Sequence, residues 1–106
     1  MANVDRRENL PLPTERFISR IEALYGEVRS WLRGTGLTTQ RHQVMISEYQ
    51  IPPYEAPSLS IHSPDGKELA SLKPVGMRIL GAGARVDLVG AYGSRGIVYL
   101  SLGAPP

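Results

Sequence analysis

The residues able to do chemistry in this chain are few: two histidines, His42 and His62, and a glycine-rich run, "ILGAGARVDLVGAYGSRG", from Ile79 to Gly96. His62 stands near Asp65 and Glu68, a set that could move a proton as general acid or base. Neither histidine has a carboxylate at a ligand-like helical spacing, and a metal site usually draws three or four ligands from short spacings. The chain has no cysteine, which removes thiolate metal sites, disulfides and a catalytic thiol. No Ser–His–Asp order carries its usual local signature. Neither a cofactor, a metal nor a catalytic constellation is expected.

The glycine run opens like a phosphate-binding loop. Gly81-Ala82-Gly83 would begin a dinucleotide fingerprint, but the third glycine falls on Val86. The fingerprint also requires a helix directly after the glycines, because its N-terminal amides hold the pyrophosphate. The residues after them, "ARVDLVG", instead alternate with period two and read as a strand. The glycines are expected to turn the chain between strands.

These residues must be positioned by a helix and a sheet. Over "TERFISRIEALYGEVRSWLRG", the residues Phe17, Ile18, Ile21, Leu24, Tyr25, Val28, Trp31 and Leu32 recur at spacings of three and four. At 100° per residue they fill an arc of about 140°, with every charge outside it. The spacing predicts a helix over about 14–33 with these residues, Trp31 included, as its core face. Thr14 is the expected N-cap, and Gly34 is placed to stop the helix. Residues 1–13 read as a proline-punctuated, flexible lead-in, and 14–106 as a single domain.

The rest reads as β, over about 43–102. "QVMISEYQI" is the expected first strand, "PPYEAPS" a stiff aromatic loop, and "SLSIHSPDGKELASL" a hairpin turning at Pro64-Asp65-Gly66. "VGMRIL" should put Val75, Met77 and Ile79 on one face. "RVDLV" and "GIVYLSL" alternate likewise, with Val86, Leu88, Val98, Leu100 and Leu102 on one side. Connections of a few residues cannot join parallel strands. The expected fold class is therefore α+β: one N-terminal amphipathic helix packed on an antiparallel meander of five or six strands.

Charge bears on partners. The formal net charge is +2, and the excess lies in residues 1–41, which carry Arg6, Arg7, Arg16, Arg20, Arg29, Arg33 and Arg41. The helix has no opposite-charge pair three or four residues apart. Its close pairs, Arg16 with Arg20 and Arg29 with Arg33, repel by a few tenths of a kcal/mol each. Gly26 on the polar face costs about 1 kcal/mol relative to alanine. Such a face suits a partner. The open sheet face is expected to offer Arg78, Arg85, Asp87 and Tyr99, with Asp87 and Arg78 placed to pair across strands. The proline-rich loop offers Tyr54.

The function expected from these features is that of a small non-enzymatic module. It would dock another protein, as an inhibitor, immunity protein, adaptor or subunit of a bacterial or phage complex. The alternative is a nucleic-acid-binding accessory protein using the N-terminal arginines. Open apolar positions such as Val89 and Ile97 would favour a homo-oligomer. With no signal-like apolar run and no stretch of membrane-spanning length, a cytoplasmic protein without membrane contact is the expectation.

Overall fold

A computed structural model of the chain describes residues 13–79 and 83–100. Residues 1–12, including Arg6 and Arg7, lie outside the described residues, as do Gly81, Ser101 and Leu102 and the side chains of Arg78 and Ile79. The fold is α+β. Helix α1 (Pro13–Trp31) packs on a sheet of β1 (Thr38–Glu48), β2 (Ile51–His62), β3 (Glu68–Ile79), β4 (Gly83–Gly90) and β5 (Arg95–Leu100). The strands pair antiparallel in chain order.

Pro13, not Thr14, opens the helix. Proline suits a first helical position because its fixed φ is already helical and its missing N–H would have had no partner there. Glu15 in the first turn and Arg29 in the last complement the helix dipole. Gly34, at φ +77°, takes the left-handed conformation that lets the chain leave the helix.

Phe17, Ile21, Tyr25 and Val28 are the buried helical residues. They span only about 80° of the helical wheel. Trp31, expected on the core face, is 66% exposed. It falls about 40° outside that narrower arc, whereas Leu32 falls inside it and is packed against the core. The apolar face is thus thinner than the periodicity suggests.

The segment read as the loop "PPYEAPS" is a strand. Tyr49 and Gln50 reverse the chain, Gln50 at φ +64°, and β2 then runs through Pro52, Pro53 and Pro57. Prolines are normally kept out of strands flanked on both sides, since they cannot donate to a ladder. Here β2 pairs with β1 along nearly its whole length, from Ile51 to His62, but with β3 only from Leu59 to His62. The register explains where that second ladder stops. Leu59 faces Leu72, so the next position of equivalent geometry would set Pro57 against Pro74. Neither has an N–H to give.

Beyond that point β2 and β3 part, and two side chains occupy the opening. The Tyr25 hydroxyl, from the helix, donates to the Pro57 carbonyl at 2.8 Å and lies 3.2 Å from the Leu72 carbonyl. Burial pushes its pKa well above the usual tyrosine value, and the nearby Glu22 charge adds to this. Glu48, at the end of β1, accepts the Met77 N–H through both carboxylate oxygens at 3.1 and 3.2 Å. It also accepts the Tyr54 hydroxyl. A Cβ on Gly76 would stand 3.0 Å from that carboxylate, so glycine permits the approach. Register shifts flank Gly76. They break the expected alternation of β3: Gly76 and Met77 are buried side by side while Val75 is exposed.

The core joins Phe17, Ile21, Tyr25 and Val28 of the helix to Ile46, Ala56, Leu59, Leu72, Met77, Ala84 and Val86 of the sheet. Val98 and Leu100 pack against it, as the alternation of β5 predicts. Leu88 is more than a third exposed.

Candidate functional site

The residues expected to meet a partner fall into two groups on different sides of the molecule. Arg20, Gly26 and Arg29 are exposed on the helix, away from its buried stripe, while Arg33, expected in the last helical turn, is exposed in the turn after Trp31, where the helix ends. A Cβ on Gly26 would meet nothing within 4 Å. Arg29 and Arg33 help line a shallow, open concavity of about 350 Å³ with Leu32, Gly36 and Leu37. Arg16 is half-buried, and its Nε has no hydrogen-bond partner among the described residues. The helix does find an ionic partner elsewhere in the fold: Arg41 of β1 pairs with Glu22.

Tyr54 does not belong to an exposed loop. It is half-buried, its hydroxyl is engaged by Glu48, and its ring meets Phe17 edge-on with centroids 6.5 Å apart. Burial first, and then the bond to Glu48, push its pKa up. A tyrosine so held has no free polar end to offer a partner.

The second group lies on the sheet face opposite the helix, because Ala84 and Val86 are in the core and residues alternate along β4. Asp87 is bonded within its own strand. Arg85 Nε donates to Asp87 Oδ1 at 2.7 Å, and Nη2 donates to Oδ2 at 3.2 Å. The bond raises the Arg85 pKa further. This i, i+2 fork engages the Asp87 carboxylate, and the side chain of Arg78, its expected partner across strands, lies outside the described residues. The register places Tyr99 opposite Arg85 and Ile97 opposite Asp87. Ile97 is 49% and Tyr99 55% exposed, and Val89 is half-buried on the same face.

These side chains stand on the sheet's terminal strand. β5 has β4 on one side and no further strand among the described residues on the other. Its six pairs with β4 run without a register shift. It contains no proline or lysine, and its one charge, Arg95, is at its start. These are the devices by which edges are usually blunted. The opposite edge, β1, carries Arg41 and Glu48 and a register irregularity between Ile46 and Glu48.

The histidines form a separate cluster at the other end of the sheet. His62 does not engage Asp65 or Glu68. Its Nε2 is 2.8 Å from Ser60 Oγ and its Nδ1 is 3.3 Å from the Gly66 carbonyl. The Asp65 carboxylate is taken by the Ser63 hydroxyl and the Lys67 N–H, which lower its pKa in that order of weight. His42 Nε2 is 3.3 Å from the same Ser60 Oγ. Sequence reasoning passed over Ser60. The available signal was its i, i+2 spacing from His62, which on a strand means one face. Among the described residues, no three of His, Asp and Glu converge as a metal-binding group, and no helix is long and apolar enough to cross a membrane.

Compared with protein families, with curated proteins and with solved structures, the chain has no match.

Proposed function

We propose that the protein is a non-enzymatic protein-binding module that takes an extended segment of a partner protein onto the free edge of β5. The observation that carries this reading is the combination on β5 of a regular, unblunted edge with the exposed side chains Ile97 and Tyr99. Backbone N–H and C=O groups along such an edge can continue the ladder into an added strand. The side chains of alternate residues then select the partner.

The nucleic-acid alternative has less support. Arg41 and Arg85 are engaged by Glu22 and Asp87, and an arginine already forked to a carboxylate is a poor phosphate ligand. On the β5 face, Tyr99 is the aromatic residue available for base stacking, whereas single-strand binders use several.

The test is affinity capture from the native host with the wild-type chain and with an Ile97→Lys, Tyr99→Lys variant. Both positions are exposed, so the variant should fold. The reading expects a defined protein retained by wild type and lost by the variant. Retention by both would place the interface elsewhere. If wild type is recovered alone as a concentration-dependent dimer that the variant abolishes, the segment added to β5 is a second copy. Retention of nucleic acid by wild type at low salt would overturn the reading.

A further inference from the structure

The outward backbone of β5 has a pattern that a second copy of the chain can complete. The hairpin joining β4 to β5 fixes which groups point outward. Gly90 N–H donates to the Ser94 carbonyl at 2.8 Å, and the β4–β5 pairs then run without a shift. Hydrogen-bonded and non-bonded pairs alternate along an antiparallel ladder. Gly96, Val98 and Leu100 therefore bond to β4, while Arg95, Ile97 and Tyr99 turn their N–H and C=O groups to the free edge. The side chains of these three residues share the sheet face opposite the helix.

A twofold axis through Ile97, perpendicular to the sheet, sets Ile97 opposite Ile97 of the second copy. It sets Arg95 opposite Tyr99 of the second copy, and Tyr99 opposite its Arg95. Every outward N–H and C=O of the three residues is then paired. An axis midway between two residues would set outward groups against groups already bonded to β4. An axis through Gly96 leaves Tyr99 without a counterpart on the described strand, and one through Val98 leaves Arg95 without one.

The side chains fit the same register. Ile97 and Tyr99 are exposed in the free chain, so pairing Ile97 with Ile97 and Arg95 with the Tyr99 ring covers apolar surface. A guanidinium over an aromatic face is attracted to it. Arg85 stands beside Tyr99 from the β4 side, but Asp87 matches its charge. The incoming Arg95 therefore meets the ring without facing a bare cation, and no like charges stand opposite each other across the axis. On the helix side, Gly96 comes opposite Val98 of the second copy in a close, non-hydrogen-bonded pair. Gly96 also faces Leu88 of β4, and these two line a concavity of about 320 Å³ with Leu69, Ala70 and Arg95. Because Gly96 has no side chain, Val98 of the second copy can close over this concavity and cover Leu88.

We propose that a second copy of this chain closes the β5 edge through an antiparallel pair centred on Ile97, making one sheet continuous across two molecules. The proposal rests on the reading of β5 as a docking edge. One short strand from each copy makes an interface below the size of stable dimers, so the pairing is weak. Dilute protein is monomeric with β5 open, and concentrated protein is dimeric with β5 covered. The edge holds one strand at a time, so a partner segment draws on the monomer by mass action.

The test is sedimentation equilibrium of the free wild-type chain from micromolar to millimolar concentration. A reversible monomer–dimer equilibrium is expected. Ile97→Lys should weaken it about tenfold or more, because it sets two ammonium groups across the axis. The chain has no cysteine, so an Ile97→Cys variant carries one thiol, at the axis. Opposite Cα atoms of a hydrogen-bonded pair are about 5.5 Å apart, within disulfide reach. Under mild oxidation at high concentration this variant should cross-link about tenfold faster or more than Arg29→Cys, because the pairing raises the effective concentration of one thiol at the other. Arg29 is exposed on the helix and reports unassisted collision, and circular dichroism verifies the fold of each variant. A chain still monomeric at millimolar concentration, a dimer that Ile97→Lys leaves intact, or equal cross-linking at both positions would overturn the second copy. If a captured protein is nevertheless lost by the Ile97→Lys, Tyr99→Lys variant, the docking reading survives that failure; if that variant retains it, both fall.

Discussion

Replacing Tyr25 by phenylalanine removes one oxygen from the protein and should destabilise it by about 2 kcal/mol. The ring of Tyr25 stays, fully buried among Phe17, Ile21, Leu59 and Leu72, so no cavity opens. What is lost is the hydroxyl that donates to the Pro57 carbonyl and lies beside that of Leu72. Those carbonyls stand where the β2–β3 ladder ends, and neither Pro57 nor Pro74 has an N–H to offer in place of the hydroxyl. Leaving a buried acceptor unpaired costs about 1–3 kcal/mol. One hydroxyl hydrogen serves both carbonyls, so the two do not count in full, which sets a figure near the middle of that range. The assay is urea unfolding followed by circular dichroism, comparing midpoints at an unchanged slope. A loss below about 0.5 kcal/mol would mean that water satisfies these carbonyls. It would refute the idea that the Tyr25 hydroxyl docks α1 by closing the gap between β2 and β3.

Gly76→Ala should cost about 1 kcal/mol or more, because its Cβ would press on the Glu48 carboxylate that holds Met77 and Tyr54. Combined with Glu48→Ala, the two losses should fall short of their sum in a double-mutant cycle. Trp31→Gln should change the unfolding free energy by less than about 0.5 kcal/mol, whereas Phe17→Ala should cost about 3–5 kcal/mol; thermal midpoints separate the two. Tyr25 and Tyr54 both have folded-state pKa values raised above the ordinary value. Raised values stabilise the fold while the tyrosines are neutral, so that contribution is complete below about pH 10 and declines at higher pH, as unfolded tyrosines ionise first. Stability measured from pH 8 to 11 should therefore fall above pH 10, and fall less steeply in the Tyr25→Phe variant.

Much of this architecture is legible in the sequence, for reasons tied to particular residues. The helix is visible because Phe17, Ile21, Tyr25 and Val28 repeat at its period, and β4 and β5 because Val86 and Val98 alternate with polar or exposed neighbours. Trp31 misleads because size and apolarity do not specify the width of the buried arc. β2 is hidden by its prolines, which read as a loop until it is seen that one flank of the strand is unpaired. The signal was nevertheless present: Pro57 and Pro74 are equidistant from the turn at Asp65-Gly66, so the hairpin read outward sets them face to face. Tyr25 could not be told from an ordinary core residue, since its hydroxyl has meaning only against carbonyls 32 and 47 residues away. The candidate site divides in the same manner. Tyr99 and Ile97 are legible from alternation on a terminal strand. The fork from Arg85 to Asp87, the capture of Tyr54 by Glu48 and the convergence of two histidines on Ser60 depend on side-chain contacts that spacing alone does not specify.

Amide hydrogen exchange of the free chain and of its complex tests the docking claim most directly. In the free protein the outward-facing amides of β5 should exchange quickly, since no strand among the described residues covers them. In the complex the same amides, between Arg95 and Leu100, should become protected as the partner's strand is added, while those around Arg20, Gly26 and Arg29 stay unchanged. Protection on the helix with β5 unaffected would contradict the account and move the interface to the opposite side of the molecule.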